Sequence, residues 1–339
     1  MRDSARASSP TQPTPRVHGG LPHAELRALG LGAGEVLDLS ASCNPYGPCA
    51  RVVEAIRAAP IDRYPDPAAT AAREALAGAL GVAPGQIALG NGAAELLWTL
   101  ASLLVRPGAG VVVVEPAFCE LRIAAEHAGG QIHDWRARPD DGFAIDLSAV
   151  GRVVRDRAAA IAYLCAPGTP TGAAVPAAQV RALAEAHPAT TFVLDQSFLS
   201  LSERFADATV AQPPNVACIR SLTKDFAIPG VRVGYVVAAP ALIARIERAR
   251  AAWTTSAAAQ AAAIAPRAAP ASSSPRAGHA CSAIAPRSPP ASPRSDCRPR
   301  RRAPAISSRG SATPARCAGA CSPSTPSWSA TARRSACPT

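Results

Sequence analysis

A chain of 339 residues can bury one large α/β core with a smaller one beside it, so length does not exclude an enzyme. The formal charge of +11 suggests a polyanion partner, but residues 266–339 hold twelve Arg against one acid, Asp296, and the 265 residues before them balance at 23 basic and 23 acidic. Steering by charge needs a folded basic surface, so the body gives no support to a nucleic-acid partner.

In chain order, residues 1–16 are polar, contain three prolines and lack hydrophobic periodicity, which predicts a flexible arm with no signal peptide. Residues 17–265 alternate short apolar runs with amphipathic stretches. The runs predict strands at 86–89, 110–115, 131–135, 159–165, 191–195, 215–220 and 231–237. Helical patterns lie between most of them, at 68–80, 94–105, 118–128 and 176–186. Such alternation predicts an α/β fold with a seven-stranded, mostly parallel sheet and helices on both faces, whose ligands sit at the carboxyl ends of strands. A long Ala/Arg/Ile helix is expected over 240–265. No apolar run is long enough to span a bilayer, and a soluble, cytoplasmic protein is expected.

After Ala265 the only large apolar residues are Ile284, Ile306 and Trp328, among Ala, Arg, Ser, Pro and Cys. That composition cannot form a core, so residues 266–339 are expected to be a disordered, low-complexity tail. A GC-rich gene read out of frame yields the same mixture, and this is our preferred reading of the tail. Cys43, Cys49, Cys119, Cys165 and Cys218 in the body lack metal-ligand spacing and read as small buried side chains in a reducing compartment. No metal is expected.

The chain has 34 Arg and one Lys, Lys224. Arg replaces Lys at most surfaces but cannot form a Schiff base, so a lone lysine is either a surviving surface residue or a place where an amine is indispensable, and its context decides. Lys224 lies in SLTKDFAIPGVRVGY, just beyond a predicted strand. Asp195 ends the apolar run TTFVLDQSF, which sets a carboxylate at the carboxyl end of a central strand. The segment ALGNGAAELL reads strand, glycine turn, helix, and so offers backbone amides and a helix dipole to an anion. Glu95 in that helix start suits capping. Further turns are CNPYGP (43–48), RYPDP (63–67), EPAF (115–118) and APGTPTG (166–172).

Together, in this order, these segments over residues 17–265 resemble the class I/II aminotransferases, which are fold-type-I pyridoxal-phosphate enzymes. The run Ser221 to Gly234 is similar to the family's S-x-x-K followed by G-x-R-x-G. The resemblance implies pyridoxal 5'-phosphate as cofactor, with Lys224 as its Schiff-base lysine and proton carrier. Ser221 and Arg232 would hold the phosphate together with the amides of Gly92, Ala93 and Ala94. Asp195 would keep the ring nitrogen protonated. It further implies Asn44 near the substrate carboxylate, His18 at the substrate, and Tyr64 reaching the neighbouring subunit's cofactor phosphate in a homodimer.

Three departures stand out. Where the family usually reads D-E-A-F/Y, this chain has Asp195-Gln196-Ser197-Phe198. Thr169 replaces the Asn that touches the cofactor's phenolic oxygen. Leu121 stands where a ring-stacking aromatic is expected, with Phe118 able to take part.

Within the superfamily, VHGG at 17–20 ahead of VLDLSASCNPYGP resembles cobalamin-pathway threonine-phosphate decarboxylases. Histidinol-phosphate aminotransferases share the later segments and stand second. Both act on a phosphate-bearing amino substrate. In that family the segment after the long helix supplies a small domain and a substrate-clamping arginine, and no tail arginine here has an apolar, strand-like setting to fix it. The chain as written is therefore expected to turn over poorly.

Overall fold

The structure, a computed structural model, describes residues 18–202 and 213–267. The arm expected over residues 1–16 and residues 268–339 of the expected tail lie outside this range.

The elements are α1 (His23–Ala28), α2 (Ala50–Arg57), α3 (Thr70–Leu80), β1 (Ile87–Gly90), α4 (Gly92–Leu104), β2 (Gly110–Glu115), α5 (Glu120–His127), β3 (Gln131–Arg136), α6 (Leu147–Asp156), β4 (Ile161–Cys165), α7 (Ala177–Ala186), β5 (Thr191–Asp195), β6 (Val216–Ser221), α8 (Leu222–Asp225), β7 (Gly234–Val237), α9 (Pro240–Ala249) and α10 (Ala257–Ile264). All seven strands join one sheet in the order β1-β7-β6-β5-β4-β2-β3. β7 runs antiparallel to β1 and β6, and every other pairing is parallel.

The apolar runs of the central strands follow from burial on both faces. Val112, Val114, Leu164 and Leu194 point into one cluster, which takes in residues of α3, α6, α7 and α10. Val111, Val113, Ile161 and Val193 point into the other, with residues of α4, α5 and α9. Each of the β2 valines is almost fully buried, and each contributes roughly 1.5–3 kcal/mol of apolar transfer on folding.

The long helix expected over 240–265 is two helices. α9 stops at Ala249, Trp253 takes a left-handed φ of 59°, and the Ser256 hydroxyl caps a new helix by accepting from the Ala259 amide at 3.1 Å. Arg250 lies in the break. Its guanidinium turns inward to the Leu89 carbonyl, Glu247 (2.8 Å) and Glu95 (3.5 Å). Alanine content alone favours helix throughout, and a tertiary contact overrides it. The alanines of α10 let it pack closely against α2 and α3. Helices α2 and α6 lie outside the predicted set, although α6 carries a side-chain cap, Asp146 accepting from the Ala149 amide at 3.0 Å.

The body cysteines divide. Cys165 and Cys218 are buried and outside any disulfide as expected, whereas Cys43 and Cys119, also outside any disulfide, are only half-buried, against the reading of uniformly buried side chains.

Candidate active site

The antiparallel insertion of β7 assembles the site. It sets Gly234 between Gly90, the last residue of β1, and Ser221, the last residue of β6. The turn into α4 therefore meets the end of β6. A side chain at Gly234 would bring a Cβ within 2.7 Å of the Ala93 amide nitrogen, so this approach requires glycine. Beside it the parallel register aligns Cys165 of β4 with Asp195 of β5.

These ends surround a cavity of about 440 Å³. Nine of the residues singled out from sequence line it: His18, Ala93, Ala94, Phe118, Thr169, Asp195, Ser221, Lys224 and Arg232. At one end is an anion cradle. Gly92 has a φ of +78°, and a Cβ there would come within 2.3 Å of Arg232 Nη2, so the guanidinium lies against the first turn of α4. Arg232 itself adopts a left-handed φ of 58° and donates from Nη1 to the Pro229 carbonyl at 3.1 Å. Ser221 and Thr223 share a hydrogen bond of 2.7 Å and line the same end. Two hydroxyls, a guanidinium and helix-terminal amides form a donor set suited to phosphate. Glu95 accepts from the Asn91 amide at 3.3 Å, the capping role expected of it.

Lys224 lies in α8 directly after β6, and its Nζ is 5.6 Å from the centre of the Phe198 ring. Asp195 is buried. Its Oδ1 accepts from the Ser197 amide at 2.9 Å and its Oδ2 from the Tyr163 hydroxyl at 3.0 Å. Burial pushes the Asp195 carboxyl above its ordinary range, opposed by the hydrogen bonds from Ser197 and Tyr163 and by the charge of Lys224.

Three expected residues are used differently. Asn44 does not line the cavity: its amide nitrogen donates to the Lys224 carbonyl at 3.0 Å and its Nδ2 to the Asp225 carbonyl at 2.9 Å, which braces the lysine segment. Tyr64 stacks on Trp253 at 4.6 Å, is 77 % exposed, and stays outside this chain's cavity. Leu121 is fully buried in the core, and the phenylalanines that line the cavity are Phe118 and Phe198. Phe118 is one residue beyond Ala117, on the approach to α5, whereas the helical period turns Leu121 inward.

Sequence reading missed Glu120, Tyr163, Cys165 and Thr223 at this site, and named Ser197 only as a departure from the family pattern. Glu120 is almost fully buried yet lines the cavity, with His18 Nε2 2.8 Å from Oε1 and Trp98 Nε1 donating to Oε2. Cys119 adds a third metal-ligating group within 4.8 Å, but the Glu120 carboxylate is already committed to His18 and Trp98. Tyr163 and Cys165 were legible in principle, because their alternation along IAYLC sends both to the face that Asp195 occupies.

Residues 34–274 match the family profile described as aminotransferase class I and II. The chain belongs to that family. It is 35 % identical to a histidinol-phosphate aminotransferase of Symbiobacterium thermophilum over 65 % of this chain and 61 % of the relative. It is 35 % identical to histidinol-phosphate aminotransferase 2 of Ralstonia nicotianae over 73 % and 67 %. The fold superposes on the histidinol-phosphate aminotransferase of Sinorhizobium meliloti in complex with pyridoxal-5'-phosphate with a TM-score of 0.65, at 30 % identity over 77 % of this chain and 71 % of that one. Aspartate aminotransferase from Thermus thermophilus with maleate gives 0.65 at 25 % identity, over 77 % and 71 %. This class I/II family chain thus spans about three-fifths of the length of the first of these relatives.

Proposed function

We propose that the protein is a pyridoxal-phosphate-dependent aminotransferase acting on a small phosphate-bearing amine of the histidinol-phosphate kind. One observation carries this reading: a single cavity joins the chain's only lysine, a buried carboxylate and a cradle of phosphate donors. The residues fit the cofactor. Ala93 and Ala94 at the start of α4, with Ser221, Thr223 and Arg232, would hold its phosphate, Asp195 its ring nitrogen and Lys224 its aldehyde carbon. Bound there, it supplies an electron-withdrawing ring that stabilises negative charge at the substrate's α-carbon. Lys224 would hold the cofactor through its amine and carry the proton at that carbon. Asp195 would hold the proton at the ring nitrogen, with Phe118 on the cavity wall. Thr169 supplies a shorter side chain than the usual Asn on the opposite wall.

The same reading makes the protein a homodimer in which Tyr64 serves the neighbour's phosphate site. Its exposure and its position outside this chain's own cavity suit that role. Among the described residues no helix is long and apolar enough to cross a membrane.

One observation favours a second reading, decarboxylation of threonine phosphate. The HGG segment behind that resemblance is built into the site, with His18 on the cavity wall and bonded to Glu120. Supplying the holoprotein with histidinol phosphate and a keto-acid acceptor, and separately with threonine phosphate, distinguishes the two. Slow amino transfer without carbon dioxide release is expected, in keeping with the poor turnover anticipated for the chain as written. Carbon dioxide from threonine phosphate alone would establish the second reading, and neither product would overturn both.

A further inference from the structure

We propose that Tyr163 is a positioning residue that, oriented by Cys165, keeps Asp195 in its charged form so that the carboxylate can hold a proton on the cofactor's ring nitrogen. The inference rests on the cofactor reading above and extends it to Cys165, on the cavity wall, and Tyr163, behind it.

The three groups form a directed chain. Cys165 Sγ donates to Tyr163 Oη at 3.3 Å, and Tyr163 Oη donates to Asp195 Oδ2 at 3.0 Å. The register explains their meeting: Cys165 pairs with Asp195 across β4 and β5, and Tyr163 lies two residues earlier on the same face. Tyr163 is fully buried, and Cys165 and Asp195 are nearly so, leaving little room for water to replace either bond. The direction of donation is set by chemistry. Burial pushes the Cys165 thiol up to about 12 and the Tyr163 phenol well above its ordinary value, so both keep their protons at neutral pH. An ionised carboxylate can only accept, hence the phenol must donate to it. A hydrogen bond to a charged acceptor is stronger than one between neutral groups, and it stabilises the carboxylate against taking a proton. Without it, desolvation would draw the shared proton from the ring nitrogen towards Asp195. The Ser197 amide on Oδ1 remains in either case.

The test is nitrogen-15 magnetic resonance of the full chain loaded with ring-labelled pyridoxal phosphate. A protonated ring nitrogen is expected in the wild type. Tyr163→Phe keeps the ring volume and removes only the hydroxyl, and should move the resonance towards the unprotonated position. Cys165→Ala should move it the same way by less, which gives a second reading should the tyrosine variant fold poorly. Asp195→Asn should give the full displacement, and adding Tyr163→Phe to it should change nothing further. Resonances of both Tyr163→Phe and Cys165→Ala coincident with wild type, while Asp195→Asn is displaced, would overturn the proposal and leave the cofactor reading intact. A wild-type resonance in Asp195→Asn would instead overturn the assignment of Asp195 itself.

Discussion

Gln196→Glu is expected to stabilise the protein, because it supplies a missing countercharge. Arg220 on β6 is 5 % exposed, and its Nε and Nη2 have no hydrogen-bond partner among the described residues. Gln196 is also 5 % exposed with Oε1 unpartnered, and its amide bonds the Ile219 carbonyl, so it lies beside Arg220. The family sequence that this segment resembles has Glu at this position. Depriving a buried charge of its partner costs about 3–5 kcal/mol, and if desolvating the new carboxylate takes back about half of that, a net gain of about 2 kcal/mol is left. For a folded body of this size, each kcal/mol raises Tm by about 2–4 °C, hence about 4–8 °C in all. Urea unfolding at neutral pH should show a raised midpoint with an unchanged slope. The gain should fade in acid, since the salt-bridged Glu has a depressed pKa and its contribution is lost as pH falls through that value. Arg220→Met supplies the control: it should stabilise the wild-type protein and destabilise the Gln196→Glu variant. An unchanged or lowered midpoint for Gln196→Glu would refute the reasoning.

Lys224→Arg should abolish any borohydride-reducible cofactor adduct while leaving the unfolding midpoint nearly unchanged, because the charge persists and the transferable amine does not. A retained adduct would remove Lys224 from the site. Gly92→Ala places a methyl on a residue with φ +78° and into the Arg232 guanidinium. It should weaken cofactor binding about tenfold or more and cost roughly 1–3 kcal/mol of stability, measured by cofactor titration and by urea unfolding. Burial raises the Asp195 pKa above its ordinary value of 3.8, so as pH falls the folded apoprotein takes up this proton before the unfolded chain does. That group's contribution to stability therefore grows as pH falls through the folded value and levels off below the unfolded one. Asp195→Asn should remove this component from the pH dependence of the urea midpoint, and identical pH profiles for the two proteins would contradict the raised pKa.

The strands that build the site were read from sequence to within a few residues, because β2, β4, β5 and β6 are buried on both faces and apolar through most of their length. Lys224, Asp195 and Arg232 were legible for a related reason: a lone amine, a carboxylate ending an apolar run and an arginine between glycines conflict with local expectation. Position in three dimensions was decided elsewhere. That Phe118 faces the cavity while Leu121 is buried depends on how the chain enters α5. That Asn44 braces the distant Lys224 depends on a backbone contact with no periodic signal. At the break between α9 and α10 Arg250 reaches Leu89 and Glu95, a contact that alanine propensity cannot report. The link from Cys165 through Tyr163 to Asp195 likewise needs the parallel register of β4 and β5. Residue type and periodicity determined which side chains could serve chemistry in this chain. Only the packing of distant segments decided which of them share a cavity, because hydrogen bonds and close approaches between strands far apart in sequence leave no trace in the pattern of either strand alone.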